Sequence, residues 1–346
     1  MIQQYKIIEN CKKMVQMAKD NNIDYVMLVV KILAGHFDFV DKLAKTGISH
    51  IGDSRIQNLK KLMHIKLPKV LVRIPMISEA NEVVQYADIS LNSEIKTIKA
   101  LNQAAKNQQK KHQIILMFDL GDLREGIYHS SSYLTEIDQM MELKHIEIVG
   151  IGTNLTCYGG LIPSKDVLMR LVKIKDKIEE TYGIKLKYIS GGNSSTVTLF
   201  GQDNIPKAIN SLRLGESIFF GLETSFSTPI PGLNQDNFIL EAQLIECQVK
   251  PSLPEGETSI NSFGEKVSIE DQGLMKRGIL AIGKQDVMFE NITPIDSDIE
   301  IIGGSSDHLI VNLHDKDYQV GDILQFKLNY PSVLHLMNSD YVYKQS

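Results

Sequence analysis

The chain has 346 residues, 43% apolar and 23% charged, with a formal net charge of −5, a composition that excludes a disordered or fibrous protein and a length that predicts two domains. The charge is spread without a basic, aromatic-rich block, so nucleic acid is not an expected partner and a small molecule is. The opening MIQQYKIIENCKKM lacks the apolar core of a signal peptide, and no run approaches the ~18 apolar residues of a membrane span, so no membrane partner and a cytoplasmic location are expected.

From residue 1 to about 225, short β-branched runs alternate with amphipathic ones, the pattern of a parallel sheet with crossover helices. After one helix at the start come strands at 25–31 (YVMLVVK), 50–53, 69–75, 87–91, 113–119, 147–153, 186–191 and 210–215. Helices are predicted between them at 37–46, 54–65, 78–86, 94–109, 132–143, 164–182 and 194–203. Eight strands in about 200 residues predict a (β/α)₈ TIM barrel over 1–226 rather than an open sheet. A linker follows at 227–236, with two prolines and a glycine in the STPIPGLNQDN stretch. FILEAQLIECQV, RGILAIG, IEIIGG, HLIVNLHD and ILQFKLNY then read as a mostly antiparallel C-terminal β domain over 237–346 without a long helical pattern. Cys11, Cys157 and Cys247 have neither disulfide nor zinc spacing, so no metal is expected; Cys157 lies near a functional loop.

A TIM barrel carries its chemistry at the C-terminal ends of its strands. Those ends are polar here: Lys31; Asp53, Ser54 and Arg55; Asp119, Gly121, Asp122 and Arg124; Thr153 and Asn154; SGGNSS at 190–195; and Arg213, Gly215 and Glu216. A lysine held among apolar neighbours gives up its charge more readily, which suits a Schiff-base amine or general base, although a surface lysine closing a strand is the plainer alternative. SGGNSST is a glycine-rich turn opening a helix, where backbone N–H groups with the Ser194 and Ser195 hydroxyls suit a phosphate; it could equally be a loop with an N-cap. A phosphate at these loops together with Lys31 makes pyridoxal 5′-phosphate (PLP) the economical cofactor. Arg213 is placed to meet its pyridine nitrogen or to make a structural salt bridge.

At these residues the sequence resembles the fold-type III PLP enzymes of the alanine racemase group, and within it the ornithine racemase branch. VVKILAGH resembles the cofactor-lysine strand, and FDLGDLREG the Asp-x-Gly-x-x-Arg-x-Gly segment with Asp119, Gly121, Arg124 and Gly126 in place. GIGTNLTCYGG fills the sixth-strand position with Asn154. GGNSS aligns Asn193 and Ser194 with the phosphate loop, and LRLGESIFFG aligns Arg213 with the nitrogen-facing arginine and Gly215 and Glu216 with backbone phosphate donors. In the β domain, IGKQD places Lys284 where the family has its second catalytic tyrosine; GGSSDHLIVNL places Ser306 and Asp307 at the substrate carboxylate; and Tyr330 in NYPS matches a phosphate-contacting tyrosine.

The resemblance implies racemisation: Cα proton transfer on an amino acid held as an external aldimine, with Lys31 serving one face and Lys284, Asp307 or His308 the other. It implies a homodimer with shared sites, and a β-strand ahead of the first helix is a further family expectation. Asp122, Glu125, Glu223 and Asp307 are the carboxylates available to a distal ammonium, and ornithine or a similar basic amino acid is the expected substrate; alanine or broad specificity is the alternative. A PLP decarboxylase of this fold would show a Gly-Gly-Gly phosphate loop where this chain has GGN, and a non-catalytic PLP carrier would lack the β domain.

Overall fold

The computed structural model describes residues 1–260, 263–264, 266 and 269–346. The chain divides into two compact units, Gln4–Gln235 and a second formed by Met1–Gln3 with Asp236–Ser346. The expected limits of 1–226 and 237–346 shift accordingly. Residues 227–235 cluster with the barrel, and Met1–Gln3 leave it because Ile2 bridges Phe238 and bonds to Gln345.

The first unit runs α1 (Gln4–Asp20), β1 (Tyr25–Val29), α2 (Phe37–Leu43), β2 (His50–Asp53), α3 (Ile56–Lys61), β3 (Lys69–Leu71), α4 (Ala80–Tyr86), β4 (Ile89–Asn92), α5 (Ile95–Asn107), β5 (His112–Asp119), β6 (Ile127–Tyr128), α6 (Tyr133–Met141), β7 (Ile146–Gly152), α7 (Lys165–Tyr182), β8 (Tyr188–Ser190), β9 (Ser211–Leu214) and α8 (Glu216–Phe220). Parallel strands in the order β4-β3-β2-β1-β9-β8-β7-β5 close into a barrel through the β4–β5 pairing. β6 is a two-residue addition beside the end of β5. Met27, Val70, Ile89, Leu91, Ile115, Met117, Val149 and Tyr188 pack as one buried cluster, each apolar side chain contributing about 1.5–3 kcal/mol on burial.

Around the sheet, helical spacing decides what is covered. α1 buries Ile7, Cys11, Met14, Val15 and Ala18 on one face. The polar exception on that face, Asn10, is fully used: its amide donates to the Ile218 and Asn234 carbonyls, and its oxygen accepts from the Asn234 N–H. α7 is bounded by the Ser164 side chain, which accepts from the Val167 N–H, and by Gly183 in the left-handed conformation. The helix expected at 194–203 is instead a 3₁₀ segment, Ser194–Leu199. Its β-branched Thr196, Val197 and Thr198 disfavour α-helix, and Thr198 Oγ1 donates back to the Ser195 carbonyl.

The second unit contains β10 (Ile239–Pro251), β11 (Leu274–Leu280), β12 (Ile292–Pro294), β13 (Glu300–Gly304), β14 (Leu309–Asn312), β15 (Ile323–Leu328) and α9 (Tyr330–Asn338). Its sheet has the order β12-β15-β10-β11-β14-β13 with antiparallel pairings. Alternate residues Leu240, Ala242 and Leu244 of β10 enter its core. The sequence pattern carried no long helix here, and a short one, α9, forms: the Asn329 side chain caps the Ser332 N–H, and Pro331 sits in the first turn, where its missing N–H costs nothing. No helix among the described residues is long and apolar enough to cross a membrane.

Candidate active site

Five buried or nearly buried residues of VMLVV carry the chain to the barrel mouth. The strand ends at Val29, two residues before Lys31, because the last ladder bond runs from the Val30 N–H to the Gly52 carbonyl, 2.8 Å. Lys31 then opens a 3₁₀ turn, Lys31–Leu33, closed by Ala34 at φ 48°. Ile32 and Leu33 are buried while the Lys31 side chain is exposed.

On the neighbouring strand β9, Arg213 is buried to 4% exposure. Its guanidinium donates to Ser190 Oγ at 2.6 Å, to Asn154 Oδ1 at 2.5 Å and to the Thr153 carbonyl. These acceptors are neutral, and burial pulls the guanidinium down to about 10. Asn154 in turn donates to Glu125, whose carboxylate holds Arg124. The ends of β7, β8 and β9 and the loop after β5 thus meet in one polar chain, Arg124–Glu125–Asn154–Arg213.

The loop after β8 supplies an anion cradle. Ser194 Oγ accepts from the Gly215 N–H at 3.3 Å and the Ser217 N–H at 3.1 Å, and lies 3.0 Å from Ser217 Oγ. Asn193 shapes the turn: its oxygen accepts from the Ser195 N–H and Oγ, and its amide donates to the Leu155 carbonyl and to Cys157 Sγ. Burial pushes the Cys157 thiol up. Two backbone N–H groups at a helix start with buried hydroxyls suit a phosphate group, and a buried arginine suits an unprotonated ring nitrogen, so these residues fit PLP. The converging amides are those of Gly215 and Ser217. Glu216 stands between them, with its carboxylate accepting from Thr224 Oγ1.

The loop after β5 corrects one expectation. Asp122 is 1% exposed, and its carboxylate accepts from the Cys157, Tyr158 and Leu161 N–H groups, each at 3.0 Å. A buried carboxylate held by three backbone donors is a loop staple. Glu223 is likewise spent on the Ser225, Phe226 and Thr228 N–H groups and the Thr228 hydroxyl. Asp119 holds the turn through Gly121 and Leu123, and Gly126 passes so close that a Cβ would lie 2.5 Å from the Asp119 nitrogen. Asp122→Ala is therefore expected to lower stability by about 3 kcal/mol and to loosen the loop carrying Asn154 and Cys157. Urea unfolding and PLP titration check this; an unchanged urea midpoint would refute the staple.

In the second unit two turns stack back to back. Gly283 leaves no room for a side chain, since a Cβ would lie 2.2 Å from the Ser306 carbonyl oxygen. The Lys284 and Gln285 N–H groups donate to the Ser305 and Ser306 carbonyls at 3.0 Å. Lys284, Ser306, Asp307 and His308 are thereby gathered on one rim. Asp307 accepts from the Ser305 and Ser306 hydroxyls at 3.0 Å, which hold its carboxyl below the usual range, and lies 3.2 Å from His308 Nδ1. The Lys284 ammonium sits 4.1 Å from the Phe263 ring centroid. Tyr330 stands at the first position of α9. Sequence reading placed Asp53, Thr153 and the SGGNSS turn with Ser190 among the polar strand ends but gave Asp53, Thr153 and Ser190 no role, and it passed over Ser217.

A family model described as alanine racemase, N-terminal domain, matches residues 2–223. The chain is 47% identical over 320 residues to ornithine racemase of Acetoanaerobium sticklandii, covering 92% of this chain and 91% of that one. It is 36% identical over 342 residues to lysine racemase of Thermotoga maritima, covering 98% and 95%. Among solved structures, alanine racemase from Bartonella henselae with covalently bound pyridoxal phosphate aligns with a TM-score of 0.73 at 17% identity, covering 99% of this chain and 97% of that one. On the match over residues 2–223 and on these two relatives, the chain belongs to the alanine racemase family.

Proposed function

We propose that this protein is a PLP-dependent racemase that interconverts the L and D forms of ornithine or a similar basic amino acid. The observation that carries the reading is the buried Arg213 beside the Ser194 cradle, on the strand next to the one that delivers Lys31. The ornithine and lysine racemase relatives support a basic substrate.

Ser194 and the Gly215 and Ser217 amides that converge on its hydroxyl would hold the phosphate of PLP. Arg213 would meet the ring nitrogen of bound PLP and, being a cation, would oppose its protonation, which would favour Cα proton exchange over further chemistry. Bound there, PLP stabilises the charge left when an amino acid gives up its Cα proton. Lys31 anchors the cofactor and moves that proton on one face through its Nζ. The opposite face needs a second acid/base, assigned to the Lys284–Asp307–His308 rim of a partner copy in a homodimer. Asp122 and Glu223 are held by backbone donors and Glu125 by Arg124 and Asn154, which leaves the exposed Asp307 as the carboxylate for a distal ammonium. The free thiols of Cys11, Cys157 and Cys247 accord with a cytoplasmic location.

Single enantiomers of ornithine, lysine, arginine and alanine, incubated with protein and PLP, test the assignment by chiral chromatography and CO₂ release. Ornithine is expected to reach an equal mixture fastest from either side, without CO₂. Faster turnover of alanine would overturn the substrate, and CO₂ without enantiomer exchange would overturn the reaction.

A further inference from the structure

In the barrel, β1 lies between β2 and β9, and the register brings a carboxylate toward Lys31 from each side. Val29 pairs with Gly52, so Asp53 is the next residue on one side; Leu28 pairs with Leu214, so Glu216 follows two residues on from that pair on the other. Both carboxylates feel the charge of Lys31.

The two sides differ in rigidity. Asp53 is 0% exposed. Its Oδ1 accepts from the Arg55 N–H at 2.8 Å and from Asn58 Nδ2 at 3.2 Å, and its Oδ2 lies 3.3 Å from the same amide. The carboxylate therefore cannot swing away. Glu216 is only partly buried, is held by one bond from Thr224 at 3.3 Å, and feels the like charge of Glu223. It also belongs to the segment whose amides would face a phosphate, where a second negative charge is opposed. Lys61 on α3 packs with Asn58 around Gly35, and Arg55 follows Asp53 in the chain.

We propose that Asp53 is a positioning residue for Lys31, a fixed buried carboxylate that orients its Nζ and supplies the counter-charge for the ammonium formed there. In the reaction the proton leaves Cα for Lys31 Nζ, the electron pair stays with the substrate, and Asp53 exchanges nothing. This use rests on the racemase reading; the coupling of Asp53 to Lys31 is tested without it. Burial raises the Asp53 carboxyl to about 6, so the counter-charge is present at neutral pH and fades as pH falls through that value.

The test is acylation of Lys31 in cofactor-free protein at neutral pH, followed by peptide mass spectrometry with other lysines as internal references. Asp53→Asn keeps an acceptor for the Arg55 N–H but removes the charge that holds the ammonium. It is expected to speed Lys31 acylation about twofold to threefold by releasing its Nζ from the fixed carboxylate, with Asp53→Glu restoring the slower rate. A residue that only caps α3 would lower the melting temperature and leave Lys31 acylation unchanged; that result overturns the proposal. If Asp53→Asn does not fold, Asn58→Ala frees the carboxylate and is expected to speed acylation by a smaller factor; no change there also overturns it. A response at Lys31 in protein that racemises none of the amino acids would count against the proposed function and leave the coupling standing.

Discussion

Lys31→Ala is expected to abolish racemisation, a loss of about 10⁴-fold or more, because one side chain carries both the cofactor attachment and one of the two proton transfers. Arg213 and the Ser194 cradle remain intact in this variant, so PLP still binds, but as a dialysable ligand without the absorbance of the lysine-bound form. Lys31 is exposed and lies outside the core, so the circular dichroism of the variant should match the wild type. Racemisation within tenfold of wild type would remove Lys31 from the chemistry.

Acid is expected to unfold the protein through two histidines far from the mouth. His50 and His112 begin β2 and β5 and are 3% and 2% exposed. His50 lies between Tyr188 Oη at 3.0 Å and Ser49 Oγ at 2.8 Å, and His112 is 2.8 Å from Ser90 Oγ. Burial pulls each from 6.5 down to about 4. The unfolded chain therefore takes up these protons first, so the stability held by the neutral rings is full above pH 6.5 and is lost as pH falls toward 4. Each ring contributes about 3 kcal/mol to that loss.

Asp53 works in the opposite direction. Its carboxyl, raised from 3.8 to about 6, takes a proton in the folded chain before the unfolded one, adding about 3 kcal/mol as pH falls through the same window. Two histidines outweigh one aspartate, and these groups together leave a net loss on the order of 3 kcal/mol between pH 6.5 and 4. Urea midpoints across that range measure it. His112→Gln, which can still bond Ser90, should remove about half of the gross histidine effect; a flat midpoint in the wild type would contradict the assignment.

Much of this was legible in the residues themselves. The apolar run ending in Lys31, the GGNSS turn and the RLGE segment are local signals, and the structure places them at adjacent strand ends. The antiparallel β unit was legible from its alternation and turns. What stayed hidden depends on which strand stands beside which. Ser190 and Thr153 matter because β7, β8 and β9 bring them to Arg213, and Asp53 matters because β2 flanks β1; no periodicity within a strand carries that register. Asp122 was misread for a related reason. An aspartate in a loop looks like available charge, and only the fold reveals that the Cys157, Tyr158 and Leu161 amides have taken it. The 3₁₀ segment at 194–199 and the helix at Tyr330–Asn338 were missed because side-chain bonds from Thr198 and Asn329 decide them rather than hydrophobic spacing.

The most direct measurement is borohydride reduction of the protein with PLP, followed by digestion and mass spectrometry, alongside deuterium uptake at Cα of L-ornithine in D₂O. The expected result is a single stable pyridoxyl adduct on Lys31 and deuterated ornithine of both configurations. An adduct on another lysine, or none, would contradict the role given to Lys31, and ornithine recovered without deuterium would contradict the proton transfer.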